Sequence, residues 1–323
     1  MIGDGGFADL GSQQSTDLAP SRWTPPVRDA LVHDLNPASA GGFSPHFRQW
    51  LAGEGYSSTW ARDDLSGGSF GGFTGTTPEE LTHRPVIFVH GNGDRALGGP
   101  LGGWQKLRTY LVEEKGYGSA ELYATTWGPA DPDLAADQHH GAEWVIDLRL
   151  FIEAVVKYTS ATQVDIIAHS MGVTLARKAI LGGTLVDQPT KNLGPALTKD
   201  VFNFVAIAGA NQGLVNCYPA SSLYHVCNSK TGFFPGTWSA TGVIGLASYL
   251  VDLNAQSGYE GQCRYDISSP IDEVIGYGGV VWGKSTAKLP AASQSFSFTL
   301  SHLGQRDETV KEVSELLAAP CGL

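Results

Sequence analysis

Residues 163–172 constrain the fold of this chain more than any other stretch, because a buried apolar run leads there directly into a tight turn. Residues 164–167 are apolar enough for a short buried strand, and residues 173–181 have the apolar spacing of a helix. Ser170 is therefore predicted on a sharp strand-to-helix turn, which would hold its hydroxyl above the edge of a sheet. The stretch predicts an α/β fold with a serine at the end of a central strand.

The residues beside Ser170 suit a nucleophile at this turn. Ala168 and Gly172 are small, as they must be where the backbones of a strand and a helix nearly touch. The amide of Met171 begins the helix and is predicted to donate to an oxyanion. We interpret Ser170 as a catalytic serine and the Met171 amide as half of an oxyanion hole; the alternative is a structural serine.

The order of elements around this turn predicts a mostly parallel sheet. Buried strands are predicted at 85–89, at 164–167 and at 201–208, with amphipathic helices between them. Strands that alternate with helices in this way form parallel sheets with right-handed crossovers, which place helices on both faces.

Composition narrows the function classes. The net charge of −11 and the pI near 5.2 argue against a nucleic-acid partner, because no excess of basic residues is present to neutralise phosphates. No apolar run approaches the roughly 20 residues that span a bilayer, so no transmembrane segment is expected. The chain is expected to be a monomer.

The four cysteines show neither Cys-x-x-Cys pairs nor zinc-finger spacing with histidine, which argues against a metal site. Of the three possible pairings we favour Cys217–Cys227, which would close one loop, with Cys263–Cys321, which would tie the chain to its C-terminus. That pairing predicts a secreted, extracellular protein. Four free buried thiols are the alternative.

We expect one domain over residues 1–323. Residues 1–84 are rich in turn signals and are predicted to form an irregular N-terminal arm with short elements. Residues 85–208 form the first half of the fold, 209–261 an aromatic-rich insertion over the site, and 262–323 the loops with the acid and base and a terminal helix. Residues 243–253 are predicted to form a short helix within the insertion.

A catalytic serine needs a base, and the base needs an acid. His302 is the predicted base because it follows the strand predicted at 294–300 and precedes the helix predicted at 308–317, whereas His225 lies in the insertion with no strand before it. Asp272, just past another predicted strand, is the predicted acid. The other carboxylates fit less well: Asp266 within that strand, Asp252 in the insertion, and Asp307 as an N-cap of the last helix.

The second oxyanion donor should follow the first buried strand, at 85–89. There the sequence reads His90-Gly91-Asn92-Gly93-Asp94, and the amide of Asn92 between two glycines is the predicted donor. His90 is expected to brace this loop and His169 to pack beneath the Ser170 turn, and Asp94 is expected to anchor the loop.

Together these motifs resemble the secreted class 2 lipases of the α/β-hydrolase superfamily. The resemblance covers roughly residues 84–318 and rests on the run 85–92, the Ala168-His169-Ser170-Met171-Gly172 box, the placement of Asp272 and His302, and residues 120–128. Asn92-Gly93-Asp94 and the long insertion are also similar to lipase-like extracellular polyhydroxybutyrate depolymerases. The resemblance implies ester hydrolysis through an acyl-enzyme without a cofactor.

The resemblance leaves the substrate open between lipid-type esters and aliphatic polyesters, and the insertion open between a lid and a fixed platform. Four aromatic residues are candidates for lining the substrate site: Trp282, Phe233, Phe234 and Trp238. A non-catalytic binding protein of the same fold and a peptide hydrolase are the alternatives from other classes.

Overall fold

The structure, a computed structural model, describes residues 41–75, 77–78, 80–221 and 223–321. In that part of the chain the strands are β1 (Gly42–Phe43), β2 (Ser69–Gly71), β3 (Val86–Val89), β4 (Leu122–Thr125), β5 (Val164–His169), β6 (Val201–Ile207), β7 (Pro235–Ser239), β8 (Gly242–Leu246), β9 (Cys263–Ser268), β10 (Val280–Val281), β11 (Lys284–Ser285) and β12 (Gln294–Ser297). The helices are α1 (Pro45–Gly53), α2 (Gln105–Lys115), α3 (Ala142–Thr159), α4 (Met171–Leu181), α5 (Ser248–Asn254), α6 (His302–Asp307) and α7 (Val310–Ala318).

Eight of these strands form one sheet in the order β1-β2-β4-β3-β5-β6-β9-β12. All neighbours in it are parallel except β2 and β4. The predicted mostly parallel sheet is confirmed, and β5, which leads to Ser170, lies near its centre between β3 and β6. The carboxyl ends of parallel strands meet at one edge of the sheet, so the loops after β3, β5, β9 and β12 come together there.

Helices cover both faces, as predicted. Side chains of β3 alternate between two apolar clusters: Ile87 and Val89 belong to one, and Val86 and Phe88 to the other. The first cluster contains residues of α1, α3, α4 and α5, and the second contains residues of α2 and α7. Strands buried on both faces read as continuous apolar runs, which is why β3 and β5 are recognisable in the sequence.

Residues 41–84 are more integrated in the fold than an irregular arm would be. The predicted short elements are present, and two of them, β1 and β2, extend the sheet beyond β4. Phe47 of α1 is fully buried, with its ring centroid 4.5 Å from that of Tyr158 in α3. The sequence hides this because strands of two and three residues are too short to show a period. Residues 1–40 of the predicted arm lie outside the described residues.

Two helix predictions differ from the structure. Residues 243–246 belong to β8, which forms an antiparallel hairpin with β7, and the helix of the insertion begins only at Ser248. The helix predicted at 308–317 is α7, which begins two residues later at Val310, and a separate short helix that was not predicted, α6, precedes it. Asp307 is the last residue of α6 and not an N-cap; it accepts a hydrogen bond from Arg306.

Two disulfides tie down the insertion and the C-terminus. Cys217 is bonded to Cys227 within the insertion, and Cys263 at the start of β9 is bonded to Cys321. Among the described residues, no helix is both long and apolar enough to cross a membrane.

The two disulfides should contribute unequally to stability, because a cross-link removes more conformational entropy from the unfolded chain when it closes a longer loop. The partners are 58 residues apart for Cys263–Cys321 and 10 for Cys217–Cys227. We expect replacing Cys263 and Cys321 by alanine to lower the free energy of unfolding by about 4 kcal/mol, and replacing Cys217 and Cys227 to lower it by about 3 kcal/mol. Urea unfolding of the two double variants checks this order, and the reverse order would contradict it.

Candidate active site

Ser170 lies on a strained turn between β5 and α4. Its backbone has φ of 55° and ψ of −127°, a conformation that residues other than glycine rarely adopt. The turn is held in place by the Ser170 amide, which donates to the carbonyl of Ile207 at the end of β6 over 2.8 Å. The side chain is only partly buried, so the strain places a hydroxyl at the accessible carboxyl edge of the sheet.

Two glycines allow the turn to approach the end of β3. A Cβ on Gly172 would lie 2.4 Å from the carbonyl oxygen of His90 and 2.6 Å from that of Val89. A Cβ on Gly91 would lie 2.9 Å from the Cβ of Ser170. No side chain fits at either place, so the loop after β3 lies directly against the serine turn.

His302 and Asp272 are brought together from two loops of the same edge. Nδ1 of His302, the first residue of α6, lies 2.9 Å from Oδ2 and 3.1 Å from Oδ1 of Asp272. Both side chains are buried, at 7% and 2% exposure. A proton on Nδ1 makes this nitrogen the donor to the carboxylate and leaves Nε2 as the one that can accept a proton.

Asp272 is held as a carboxylate. It also accepts hydrogen bonds from the amides of Val274 and Ile275, at 3.0 and 2.8 Å, and from Nε2 of Gln305 at 2.6 Å. Burial by itself would raise the pKa of Asp272, but the bonds from His302, Ile275 and Gln305 outweigh it and hold that pKa below its usual value. Gln305 was not predicted from the sequence, although its position three residues after His302 puts both on one face of a helix.

His169 connects His302 to the serine turn. Its Nε2 donates to the carbonyl of His302 over 3.2 Å, and the two ring centroids are 4.7 Å apart. Burial, with the positive charges of His302 and Arg306 adding to it, lowers the pKa of His169 well below its usual value, so the ring is neutral. Within the described part of the chain Ser170 Oγ makes no hydrogen bond, so the Ser170–His302 hydrogen bond of the predicted triad is not formed in this structure.

The other predicted acids have different partners. Asp266 in β9 accepts from the amide of Leu289 over 3.0 Å, and Asp252 in α5 pairs with Lys178 over 2.6 Å. His225, the alternative base, stands in a 3₁₀ turn of the insertion near His139. None of them has a hydrogen bond to His302.

The loop after β3 is braced as predicted. His90 is neutral, because burial lowers its pKa to about 3. Its Nδ1 donates to the carbonyl of Gly91 over 2.7 Å, and its Nε2 accepts from the amide of Trp127 over 3.0 Å. The Asn92 side chain donates to the carbonyl of Ala135 over 2.8 Å, whereas the Asn92 amide makes no backbone hydrogen bond with another described residue and is available as a donor.

The aromatic candidates divide between core and surface. Phe233 is a core residue rather than a surface residue: it is 3% exposed, and its ring packs edge-on against His140. Phe234 is half-buried against the same core. Trp238 is 59% exposed on β7, and half-buried Trp282 donates to the carbonyl of Pro235 over 3.0 Å. Trp238 and Trp282 therefore remain as candidates for contact with a substrate.

In residues 41–321, apart from the few that the structure does not describe, no three His, Cys, Asp or Glu side chains are grouped so that they could hold a metal ion.

Gly172→Ala should disrupt the site. The new methyl group would overlap two backbone carbonyls of the β3 end, which cannot move without breaking the sheet. Gly53→Ala is the matched control, because Gly53 is also helical and has no neighbour within 4 Å of its Cβ position. We expect a lower melting temperature for Gly172→Ala and an unchanged or slightly higher one for Gly53→Ala, by thermal unfolding. Equal melting temperatures for the two variants would show that α4 does not pack as described.

Solved structures share the fold at low sequence identity. A Bacillus licheniformis lipase in its propeptide form aligns with a TM-score of 0.50 at 13% identity, covering 78% of this chain and 54% of that one. The mature form of that lipase aligns with a TM-score of 0.47 at 13% identity, covering 74% of this chain and 96% of that one. Aspergillus fumigatus lipase B aligns with a TM-score of 0.45 at 15% identity, covering 75% of this chain and 57% of that one. This chain thus spans about half the length of the propeptide form.

The family comparison is more specific than the structural one. The model of the family described as lipase (class 2) matches residues 83–316, which include β3, the Ser170 turn, Asp272 and His302. Because this match covers well over half of the chain, the protein belongs to the class 2 lipase family and is a carboxylic ester hydrolase with the α/β-hydrolase fold.

Proposed function

We propose that this protein is a secreted serine esterase that cleaves apolar acyl esters through an acyl-enzyme, with Ser170 as nucleophile, His302 as base and Asp272 as orienting acid. The observation that supports this most is the strained backbone of Ser170 at the carboxyl edge of the sheet. The loops after β9 and β12, which carry Asp272 and lead to His302, begin at the same edge. Strain of this kind persists only where the surrounding structure holds it, and it concentrates at functional sites.

The residues suit a two-step reaction. Ser170 Oγ attacks the ester carbonyl carbon as its proton moves to Nε2 of His302, and the amides of Asn92 and Met171 donate to the oxygen that becomes negative. His302 then gives the proton to the departing alcohol, leaving an acyl-Ser170 ester. Water, deprotonated by His302, releases the acid and restores the serine. Asp272 holds the imidazole orientation and stabilises its charged form.

The insertion favours a fixed platform over a moving lid. Nδ1 of buried His140 donates to the carbonyl of Thr231 over 2.6 Å, and the hydroxyl of buried Tyr249 donates to that of Thr174 in α4 over 3.2 Å. The Cys217–Cys227 disulfide closes the loop beside them. Opening a lid would break these buried bonds, which is costly because buried polar groups need partners.

Exposed apolar side chains beside Asp272 and in the insertion favour a polyester substrate. Ile271 and Val274, on either side of Asp272, are 49% and 45% exposed, and Trp238 and Tyr218 of the insertion are 59% and 44% exposed. Apolar side chains exposed around a site suit contact with an apolar chain or surface better than recognition of a small polar ester. We therefore propose an aliphatic polyester as substrate, with emulsified lipid esters as the alternative. The two disulfides support secretion, because such bonds persist in oxidising compartments.

Asp272→Asn should lower kcat by about 10³- to 10⁴-fold on a soluble ester, because an amide cannot hold the His302 tautomer that leaves Nε2 free. The expected change in KM is small, since Asp272 does not face the substrate. Asp252→Asn is the control, because Asp252 in the insertion pairs with Lys178 and has no hydrogen bond to His302; this variant is predicted to keep wild-type kcat. Steady-state kinetics check both; a wild-type kcat for Asp272→Asn would exclude Asp272 as the acid.

Release of soluble products from an amorphous polyhydroxybutyrate film, measured beside hydrolysis of short and long acyl esters, tests the substrate. We expect film hydrolysis by the wild type and none by Ser170→Ala. Trp238→Ala should lower the film rate several-fold and leave the rate on a short soluble ester unchanged, whereas Val251→Ala, at an equally exposed site on α5, should change neither.

Two results would contradict the proposal. Activity on emulsified esters alone would show a lipase or esterase and not a polyester depolymerase. Failure of an active-site phosphonate to label Ser170 in the folded wild type would favour a non-catalytic binding protein of this fold.

A further inference from the structure

A buried ion pair connects the two loops that the proposed reaction must hold in register. Asp94 lies two residues after Asn92, and Arg306 lies four residues after His302 and therefore one turn along α6. Arg306 Nη1 and Asp94 Oδ2 are 2.5 Å apart, and each side chain is only 2% exposed. The pair thus links the segment that follows the Asn92 amide to the helix that begins with His302.

Both partners are fixed by further hydrogen bonds. Oδ1 of Asp94 accepts from the amides of Arg95 at 2.8 Å and Gly103 at 3.1 Å, so this carboxylate closes the loop between them. Nη2 of Arg306 donates to the carbonyl of Leu101 over 2.7 Å, within the same loop, and its Nε donates to Asp307 over 2.6 Å. Arg306 therefore contacts the loop at its start and near its end.

Helix α6 depends on such side-chain contacts for its position. It has six residues, too few for a helix that is stable by itself. Gln305 fixes it to Asp272, His169 donates to the carbonyl of His302, and Arg306 fixes it to Asp94. The first two contacts set His302 relative to the acid and to the serine turn. Arg306 sets it relative to the loop of the Asn92 amide, through Asp94 and Leu101.

We infer that the Asp94–Arg306 pair is a positioning device that holds the oxyanion donor of Asn92 in register with the base His302. Neither residue faces the reacting atoms in this scheme; both act through the backbone that they hold. A displacement of about 1 Å between groups that must act together can lower a rate by about 10²-fold, so a connection of this kind affects turnover more than substrate binding. The inference rests on the proposed function.

Buried ion pairs are not by themselves a sign of stability, because the cost of removing two charges from water can equal their attraction. A matched pair elsewhere in the molecule separates positioning from folding. Arg177 in α4 pairs with Glu260 over 3.0 Å, and these side chains are 0% and 1% exposed. That pair joins α4 to the end of the insertion and touches neither α6 nor the loop after β3.

The test compares Asp94→Asn, Arg306→Lys and Arg306→Met with Glu260→Gln, on a soluble ester below the melting temperature of each variant. We expect Asp94→Asn and Arg306→Met to lower kcat by roughly 10- to 100-fold with KM within about threefold of wild type. Arg306→Lys keeps the charge but not the full set of bonds, and its kcat should fall between those of Arg306→Met and wild type. Glu260→Gln should lower the melting temperature and leave kcat unchanged.

A second readout reports on the oxyanion site itself. An alkylboronic acid, which forms a tetrahedral adduct with an active serine, should bind the Asp94 and Arg306 variants more weakly by about the factor lost in kcat. A purely structural role would change melting temperature and the fraction of active enzyme without this parallel loss. The active fraction is counted by phosphonate labelling of Ser170, and all rates are divided by it.

These outcomes distinguish failure of the inference from failure of the proposed function. Wild-type kcat in folded Asp94→Asn or Arg306→Met would overturn the inference and leave Ser170-dependent hydrolysis standing. A loss of kcat in Glu260→Gln as large as in Arg306→Met would also overturn it, since any buried pair would then have the same effect. If Asp94→Asn does not fold, the ranking of the two Arg306 variants decides. A wild type that phosphonate does not label at Ser170 overturns the proposed function and the inference together.

Discussion

At the carboxyl edge of the sheet, the first turn of α4 lies so close to the end of β3 that a single methyl group at Gly172 would meet two carbonyl oxygens, the nearer at 2.4 Å. This close approach puts Ser170 in its strained conformation and places Gly91 and the Asn92 amide beside it. The proposed nucleophile and the proposed donor to the oxyanion are thus brought together by one backbone contact. The parallel register of β3 and β5, which pairs Val89 with Ala168, brings the two strand ends level.

Burial also controls where positive charge can form in this region. His90 and His140 are neutral because burial lowers the pKa of each to about 3, and the pKa of His169 is lowered well below its usual value for the same reason. A carboxylate, that of Asp272, lies against Nδ1 of His302. The imidazole that is paired with a carboxylate thus has the neutral ring of His169 beside it, 4.7 Å away between centroids.

The sequence predicts those features that local patterning encodes. The strands at β3, β5 and β6 and the Ser170 turn are recognisable because buried parallel strands read as apolar runs and the turn requires small residues. The short strands β1 and β2 are not recognisable, because their pairing with the rest of the sheet depends on contacts distant in sequence. The break between α6 and α7 escapes for a related reason: it is set by tertiary bonds of Gln305 and Arg306 and not by helix propensity.

The same distinction explains why the candidate site is only partly readable. Ser170, Asp272 and His302 each follow a predicted strand, so their positions can be derived from the order of elements. Arg306 has no such signal. Its partner Asp94 is 212 residues away in sequence, and nothing in the residues around either one indicates the pairing.

Helix α4, which follows Ser170, shows how the insertion becomes part of the core of the fold. Every residue of α4 is buried, including Thr174, Arg177 and Lys178, so polar groups on this helix must find partners in neighbouring segments. The insertion supplies them: Tyr249 donates to the carbonyl of Thr174, Arg177 donates to the carbonyl of Leu253, and Lys178 pairs with Asp252. The insertion therefore cannot leave α4 without leaving buried charges on that helix unpaired. The exposed apolar side chains of the insertion thus stand on a rigid layer. This agrees with the proposed polyester substrate, because an extended polymer chain does not require a pocket that closes over each substrate molecule.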